Sequence, residues 1–292
     1  MTTPNHVRRI ELTRNYSVRC KEFKSGENGE VTTEYSGSGD PKRSMELLWG
    51  GPERPRRGPK PKLTVDQIVQ TAIEIADAEG LPALSMRRVA DELGVTAMSL
   101  YTYVPGKAEL IDVMFDTVHA RAATPEDDQG DWRSRLERLA RENWDRYLRH
   151  PWLLQVATSL PVLGPNSVAK YDRELTVVAG LGLTDIEMDL LVGLVSDYVH
   201  GAVRGAVEAA QMQRRTGMTV QEWWERFAPL LEQVFDAERY PVAARVGAAA
   251  GAEHDAPADP ARSFEFGLQR VLDGIEAFVR SRAGQQGLAE RP

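Results

Sequence analysis

The sequence holds a single cysteine, Cys20, in 292 residues, so an intramolecular disulfide is excluded, and no Cys/His spacing of the kind zinc sites need is present. A reducing, cytoplasmic setting is expected. Long apolar runs are missing as well. No stretch approaches the roughly 18 to 20 apolar residues of a membrane span, and the opening MTTPNHVRRIELTRNYSVRCKEF has no continuous apolar run of a signal peptide. Export and a membrane partner are therefore not expected. Catalytic signatures are sparse: there is no Gly-x-Ser-x-Gly elbow, no phosphate-binding glycine loop and no His-Glu-x-x-His. An enzyme is not expected, nor any cofactor.

What is present is a globular composition, 42% hydrophobic and 27% charged, in a chain long enough for two domains. The net charge of −7 is unevenly placed. Residues 41–62 carry seven cations (Lys42, Arg43, Arg54, Arg56, Arg57, Lys60, Lys62) against two acids (Glu46, Glu53), whereas residues 121–292 carry 20 against 26. A basic segment on an acidic body points to a local contact with an anion, because only the docking face must be positive.

Three regions follow from the pattern. Residues 1–62 form an N-terminal extension. Its stretch KSGENGEVTTEYSGSGD has too little apolar surface to offset the entropy of ordering, and a short hairpin around VRRIELTRNYSVRC is the most structure it offers. DPKRSMELLWGG is either a linker or a short helix capped by Asp40 that presents Met45, Leu48 and Trp49 on one side. PERPRRGPKPK interleaves prolines with cations and reads as an extended basic arm.

Residues 63–120 form a second region. Thr64 and Gln67 make a capping box, Val65, Ile68, Ala72, Ile75 and Ala76 recur at helical spacing, and Gly80 ends the helix. A second helix from about Ser85 to Leu93 buries Val89, Ala90 and Leu93. Gly94 makes the turn, and Thr96 caps a third helix that reaches about Tyr103 before Pro105-Gly106. A fourth, 107–120, places Leu110, Val113, Met114, Thr117 and Val118 inwards. Two short helices around a glycine turn make a helix-turn-helix, whose second helix enters the DNA major groove. Val95 and Leu100 anchor that helix, leaving Thr96, Ala97, Ser99, Thr102 and Tyr103 for bases and phosphates.

The run IVQTAIEIADAEGLPALSMRRVADELGVTAMSLYTYVPGKAELIDVMFD resembles the N-terminal domain of the TetR family of transcriptional repressors, including its Leu-Gly-Val turn, its LYTYV ending and the lysine opening the fourth helix. The resemblance implies base-reading positions at Arg87, Ala97 and Met98, phosphate or thymine-methyl contacts at Ser99, Tyr101, Thr102 and Tyr103, and a phosphate contact at Lys107. Ala97 and Met98 depart from the tetracycline repressor's polar/proline pair, so its operator is not transferred. Arg88 reads as a solvated charge. For Arg56, Arg57, Lys60 and Lys62 the choice lies between a solubilising linker and minor-groove or phosphate contacts; a basic arm at this point in family members favours the latter.

Residues 121–292 read as an all-α ligand-binding and dimerisation body, with helices at about 131–149, 152–160, 165–181, 185–215, 219–236 and 262–282, capping boxes at Thr184/Glu187 and Thr219/Glu222, and a flexible loop at VGAAAGAEHDAPADPA. FEFGLQRVLDGIEAFV and ERYPVAARV resemble the C-terminal domain of the tetracycline-repressor subgroup. Residues 188–207 are apolar on almost every side, and 264–279 present Phe264, Leu268, Val271, Leu272, Ile275 and Val279. Two such helices, near 185–215 and 262–282, suggest a homodimer interface built as a four-helix bundle.

Aromatic and polar residues cluster at Trp144, Tyr147, His150, Trp152, Asp197, Tyr198, His200 and Arg204, the composition of a pocket for a small apolar or aromatic effector. His150 and His200 could meet a metal-chelated ligand, although their spacing does not require it. The expected function is a dimeric repressor on a palindromic double-stranded DNA operator, released by a small molecule through the fourth helix. The alternatives are a constitutive DNA-binding dimer answering to a protein partner and, further off, an enzyme fused to a DNA-binding domain.

Overall fold

The computed structural model describes residues 34–35, 37, 39–50, 63–120, 129–157, 160–254 and 258–289, with backbone alone at 34–35 and 284–289. Cys20, the possible hairpin and the basic arm lie outside the described residues. Among those described no helix is long and apolar enough to cross a membrane.

The helix-turn-helix region is built as its capping residues dictate. Helix α2 (Val65–Glu79) starts at the Thr64/Gln67 capping box and stops at Gly80, α3 (Met86–Glu92) starts where Ser85 Oγ accepts from Arg88 N, and α4 (Ala97–Tyr101) starts where Thr96 accepts from Ser99 N. Gly94, at φ +65°, makes the turn between α3 and α4 in a conformation that costs residues with a Cβ. Leu100 is fully buried beside Ile68, Val89, Leu110 and Met114, with Val95 packed against the same cluster. The third helix is shorter than expected: Thr102 caps it, and Tyr103 continues as a turn towards Pro105.

Helix α5 (Lys107–Val118) is covered on two sides. Leu110, Ile111 and Met114 enter the helix-turn-helix core. Glu109, Asp112 and Asp116 share another stripe, at helical spacing, and all three are buried. Glu109 and Asp112 hold the N-terminal extension. Helix α1 (Pro41–Trp49) packs on α5, capped by Asp40, whose own N–H donates to Glu109 Oε1 at 3.0 Å. Asp112 accepts from Gly37 N at 2.9 Å and from Ser44 Oγ at 3.0 Å. The helical alternative for DPKRSMELLWGG is the one formed, but its inward residues are Ser44, Leu47 and Leu48. Met45 and Trp49 are exposed because the Ser44 hydroxyl sets the rotation, and Trp49 Nε1 donates outside the core to Leu163 O at 2.7 Å.

Asp116 reaches into the C-terminal body. Helix α7 (Pro165–Val178) has Gly164 at its N-cap and no side-chain cap of its own. Asp116 supplies one: it accepts from Ser167 N at 2.8 Å, Asn166 N at 3.3 Å and Asn166 Nδ2 at 2.9 Å. A Cβ at Gly164 would collide with that carboxylate.

The body comprises α6 (Trp132–Arg149), α7, α8 (Asp185–Thr216), α9 (Val220–Val234), α10 (Pro241–His254) and α11 (Pro260–Ala289). The capping boxes at Thr184/Glu187 and Thr219/Glu222 both form. Three expectations need correction. No helix spans 152–160: a 3₁₀ turn, Pro151–Gln155, leads into an extended pair, β2 (Val156–Ala157), parallel to β1 (Glu34–Tyr35), and Pro161 disfavours helix in the residue before it. Part of VGAAAGAEHDAPADPA is not loop but α10, because alanine's helix propensity outweighs Gly247 and Gly251. The stripe at 264–279 is internal: Phe264, Leu268, Leu272 and Ile275 are buried against α6 and α8, with Val271 and Val279 packed beside them.

A second link joins the helix-turn-helix region to the body. Asp77 on α2 accepts from His150 Nδ1 at 2.9 Å and from Trp152 Nε1 at 2.8 Å.

Two outcomes follow. Asp112→Ala leaves Ser44 Oγ and Gly37 N without their acceptor and is expected to cost about 1–3 kcal/mol in urea unfolding. Asp112→Asn should cost less, since it keeps an acceptor and removes a charge whose burial already raises the carboxyl pKa; equal losses would contradict this account. For Asp77→Ala and Trp152→Phe, a double-mutant cycle should return a coupling of about 0.5–3 kcal/mol, and simple additivity would show that the hydrogen bond contributes nothing.

Candidate functional site

Two surfaces carry chemistry. The first is the outer face of α3 and α4. Met98 is 77% exposed, Thr96, Tyr101 and Thr102 are exposed, and the Arg87 side chain is 88% exposed. Arg87 makes only a 4.0 Å ion pair one turn along, to Asp91. Arg88 differs: it donates to Glu79 at 2.9 Å and Glu92 at 2.6 Å, pinning α3 to the end of α2, so its charge is engaged, not simply solvated. The face therefore offers one extended guanidinium, an apolar thioether and several hydroxyls.

Other residues expected on this face divide their roles. Ala97 and Tyr103 are half-buried and lean on the core; Thr96 Oγ1 and Ser99 Oγ lie 2.8 Å apart and share a hydrogen bond within the cap. Lys107 is half-buried at the start of α5. Arg56, Arg57, Lys60 and Lys62 lie outside the described residues.

The second surface is a cavity of about 350 Å³, open on one side, lined by α5, α6, α7, α8, Leu153 of the 3₁₀ turn and the segment before α7. Of the eight residues expected to bind a ligand, Tyr147, Asp197 and His200 line it. Tyr147 Oη and His200 Nδ1 are 3.2 Å apart, and burial raises the tyrosine pKa and lowers that of the histidine.

The other five go elsewhere, and helix geometry says why. Neighbouring residues on a helix point 100° apart. Trp144 therefore turns from the Asn143–Tyr147 face and stacks on Phe264, with ring centroids 4.2 Å apart. Tyr198 likewise leaves the Asp197–His200 face and donates to Phe264 O at 2.7 Å. Arg204 is exposed one turn beyond the cavity. His150 and Trp152 are committed to Asp77 and belong to the link between the two regions. His150 and His200 thus face different partners and form no pair.

The cavity also recruits residues that aromatic content did not flag, chiefly Phe115, His119, Asn143, Arg146 and Lys170. The signal was available for two of them: Asn143 and Arg146 lie at helical spacing with Tyr147. His119, just past α5, gave none, because it reaches the cavity only once α5 is docked on the body. Burial foremost, then Arg146, holds the His119 pKa down to about 3.

Known proteins place this arrangement. Residues 68–114 match the model for bacterial regulatory proteins of the tetR family, and residues 124–279 match the tetracyclin repressor-like C-terminal domain. The HTH-type transcriptional repressor DrrR1 of Streptomyces coeruleorubidus is 48% identical over 255 residues, covering 87% of this chain and 92% of that protein. ActR of Streptomyces coelicolor in complex with actinorhodin has a TM-score of 0.61 at 30% identity, covering 74% of this chain and 96% of that one; apo ActR gives 0.60 at 28%, covering 76% and 99%. With the helix-turn-helix and the helical body both matched, this chain belongs to the TetR family of bacterial transcriptional regulators.

Proposed function

We propose that this TetR-family transcriptional repressor binds a palindromic operator as a homodimer and lets go of it when a small apolar or aromatic molecule occupies the cavity. The observation that carries the reading is the double position of α5. Its Leu110, Ile111 and Met114 belong to the core that holds α4, while Phe115 and His119 at its end form cavity wall. An occupant that moves those side chains displaces α5, and with it the recognition helix and the Asp116 cap on α7. ActR, whose solved structures include complexes with actinorhodin and (S)-DNPA, supports an effector of this general kind.

On DNA, α4 would lie in the major groove. Arg87 suits a bidentate contact with guanine, Met98 an apolar contact with a thymine methyl, and Tyr101 and Thr102 the phosphates. Residues 63–120 serve as the DNA-binding domain and 121–292 as the ligand-binding and dimerisation body, with the arm cations Arg56, Arg57, Lys60 and Lys62 added from outside the described residues.

A second copy is called for by surface that this chain leaves uncovered. Ile186, Leu190 and Leu194 form an exposed row on α8, and Leu190 and Leu194 share an apolar groove with Gly274 and Phe278 of α11. Helix α9 is strongly amphipathic and yet buries no residue within the chain. Such faces are covered in a four-helix bundle of two protomers, and a palindrome demands two recognition helices.

Arg87→Ala should weaken binding to the operator, found by mapping chromosomal sites, by about tenfold or more, with unchanged thermal stability. Arg88→Ala should lower the melting temperature and leave discrimination among operator variants intact. Wild-type affinity in the Arg87 variant would remove this face from base reading. For the interface, Leu190→Glu with Leu194→Glu should yield a monomer in sedimentation velocity together with loss of operator binding; an unaltered dimer would place the interface elsewhere.

A further inference from the structure

Residues 37–49 touch two elements that lie far from each other in the chain, and both are walls of the cavity. On one side is α5. Gly37 N and Ser44 Oγ donate to Asp112, Asp40 N donates to Glu109, and Ser44 is the buried residue of α1. On the other side is the stretch that leads from the 3₁₀ turn to α7. Trp49 Nε1 donates to Leu163 O at 2.7 Å, and just ahead of Gly37 the strand β1 pairs with β2. Phe115 and His119 face the cavity from the first wall, Pro161 and Val162 from the second.

Two glycines show that the segment fits without slack. A Cβ on Gly39 would lie 2.5 Å from Glu109 Oε1, so the backbone there rests on the carboxylate itself. Gly37 has φ +68°, and a Cβ on it would press on Leu160 Cβ at 3.3 Å. Hydrogen bonds hold the segment more than apolar contact does, since Met45 and Trp49 stay exposed. Such bonds are directional and weaken steeply when stretched or bent. The two walls therefore cannot part while every bond of the segment stays made.

We infer that residues 37–49 are a strap that fixes the separation of the two cavity walls and so pre-organises α4 for the operator. This rests on α5 carrying position from the cavity to α4, as in the proposed repressor. A palindrome takes two recognition helices at one spacing, and any freedom that α5 has before binding is lost on the DNA at a cost in affinity. With the strap seated, that freedom is already gone. An effector that widens the cavity must pull Phe115 and His119 away from Pro161 and Val162, which stretches the strap. The strap thus sets how firmly the empty protein holds DNA and how strongly an effector must bind to release it.

The test compares variants of the full chain for affinity to an operator fragment, by fluorescence anisotropy, and for backbone hydrogen exchange. Trp49→Phe keeps an aromatic ring and loses only the N–H that reaches Leu163. It should weaken operator binding about threefold and speed exchange in α5, on the opposite wall. Gly39→Ala strikes Glu109 on α5; it should weaken binding about tenfold and speed exchange at Val156 and Ala157. Val203→Ala, in the body core apart from the strap, should lower the melting temperature without changing affinity. If Gly39→Ala fails to fold, Trp49→Phe decides. Wild-type affinity in Trp49→Phe, or an equal loss in Val203→Ala, would overturn the strap and leave the repressor standing. Faster exchange confined to the wall that each variant touches would do the same. An unaltered chain that binds no chromosomal fragment specifically would overturn both.

Discussion

A helix with no solvent side must satisfy every polar group it carries, and α5 is such a helix. Its apolar stripe is spent on the helix-turn-helix core, and its other stripe holds three carboxylates inside the protein. An ionised carboxylate moved out of water costs several kcal/mol unless hydrogen bonds replace its hydration. Here they do: backbone N–H groups of the N-terminal segment, the Ser44 hydroxyl and the first turn of α7 all donate to Glu109, Asp112 or Asp116. The partners come from two separate parts of the chain, residues 37–44 and the start of α7, so the acids fix where those parts sit. Asp116 also places negative charge at the N-terminus of α7, where the helix dipole favours it.

This arrangement sets how the two regions communicate. Links at Asp77 and at Asp116 tie the helix-turn-helix to the body at separate points, one through the turn after α6 and one through α7. The cavity lies beside them, with α5 as one wall. The N-terminal segment belongs to the same assembly: β1 pairs with β2, and Trp49 is tied to Leu163 O, next to the cavity residue Val162. An extension that looks dispensable in composition thus bridges α5 and the segment that closes the cavity.

Much of this was legible beforehand, for identifiable reasons. Capping boxes at Thr64, Thr184 and Thr219, the glycine stops at Gly80 and Gly94, and the buried pair Val95 and Leu100 are local signals, read within one or two helical turns. The failures are equally specific. Residues 152–160 lost their helix to pairing with β1, a partner far away in sequence. Within VGAAAGAEHDAPADPA, residues 246–254 have a loop's glycines, yet their alanines make them helix. Trp144 and Tyr198 were chosen for aromatic character, while the direction each faces is set by a 100° step from its neighbour.

The sequence by itself determined most of the helices, their caps, the helix-turn-helix and the family, because each depends on residues near one another along the chain or on a pattern carried in order. Only the tertiary structure decided what the charged groups do. Arg87 and Arg88 are adjacent and chemically identical, yet one extends from the surface and the other is held between Glu79 and Glu92. Arg146 and His119 became cavity groups because α5 and α6 bring together residues that the chain keeps apart, and burial there lowers the pKa of both.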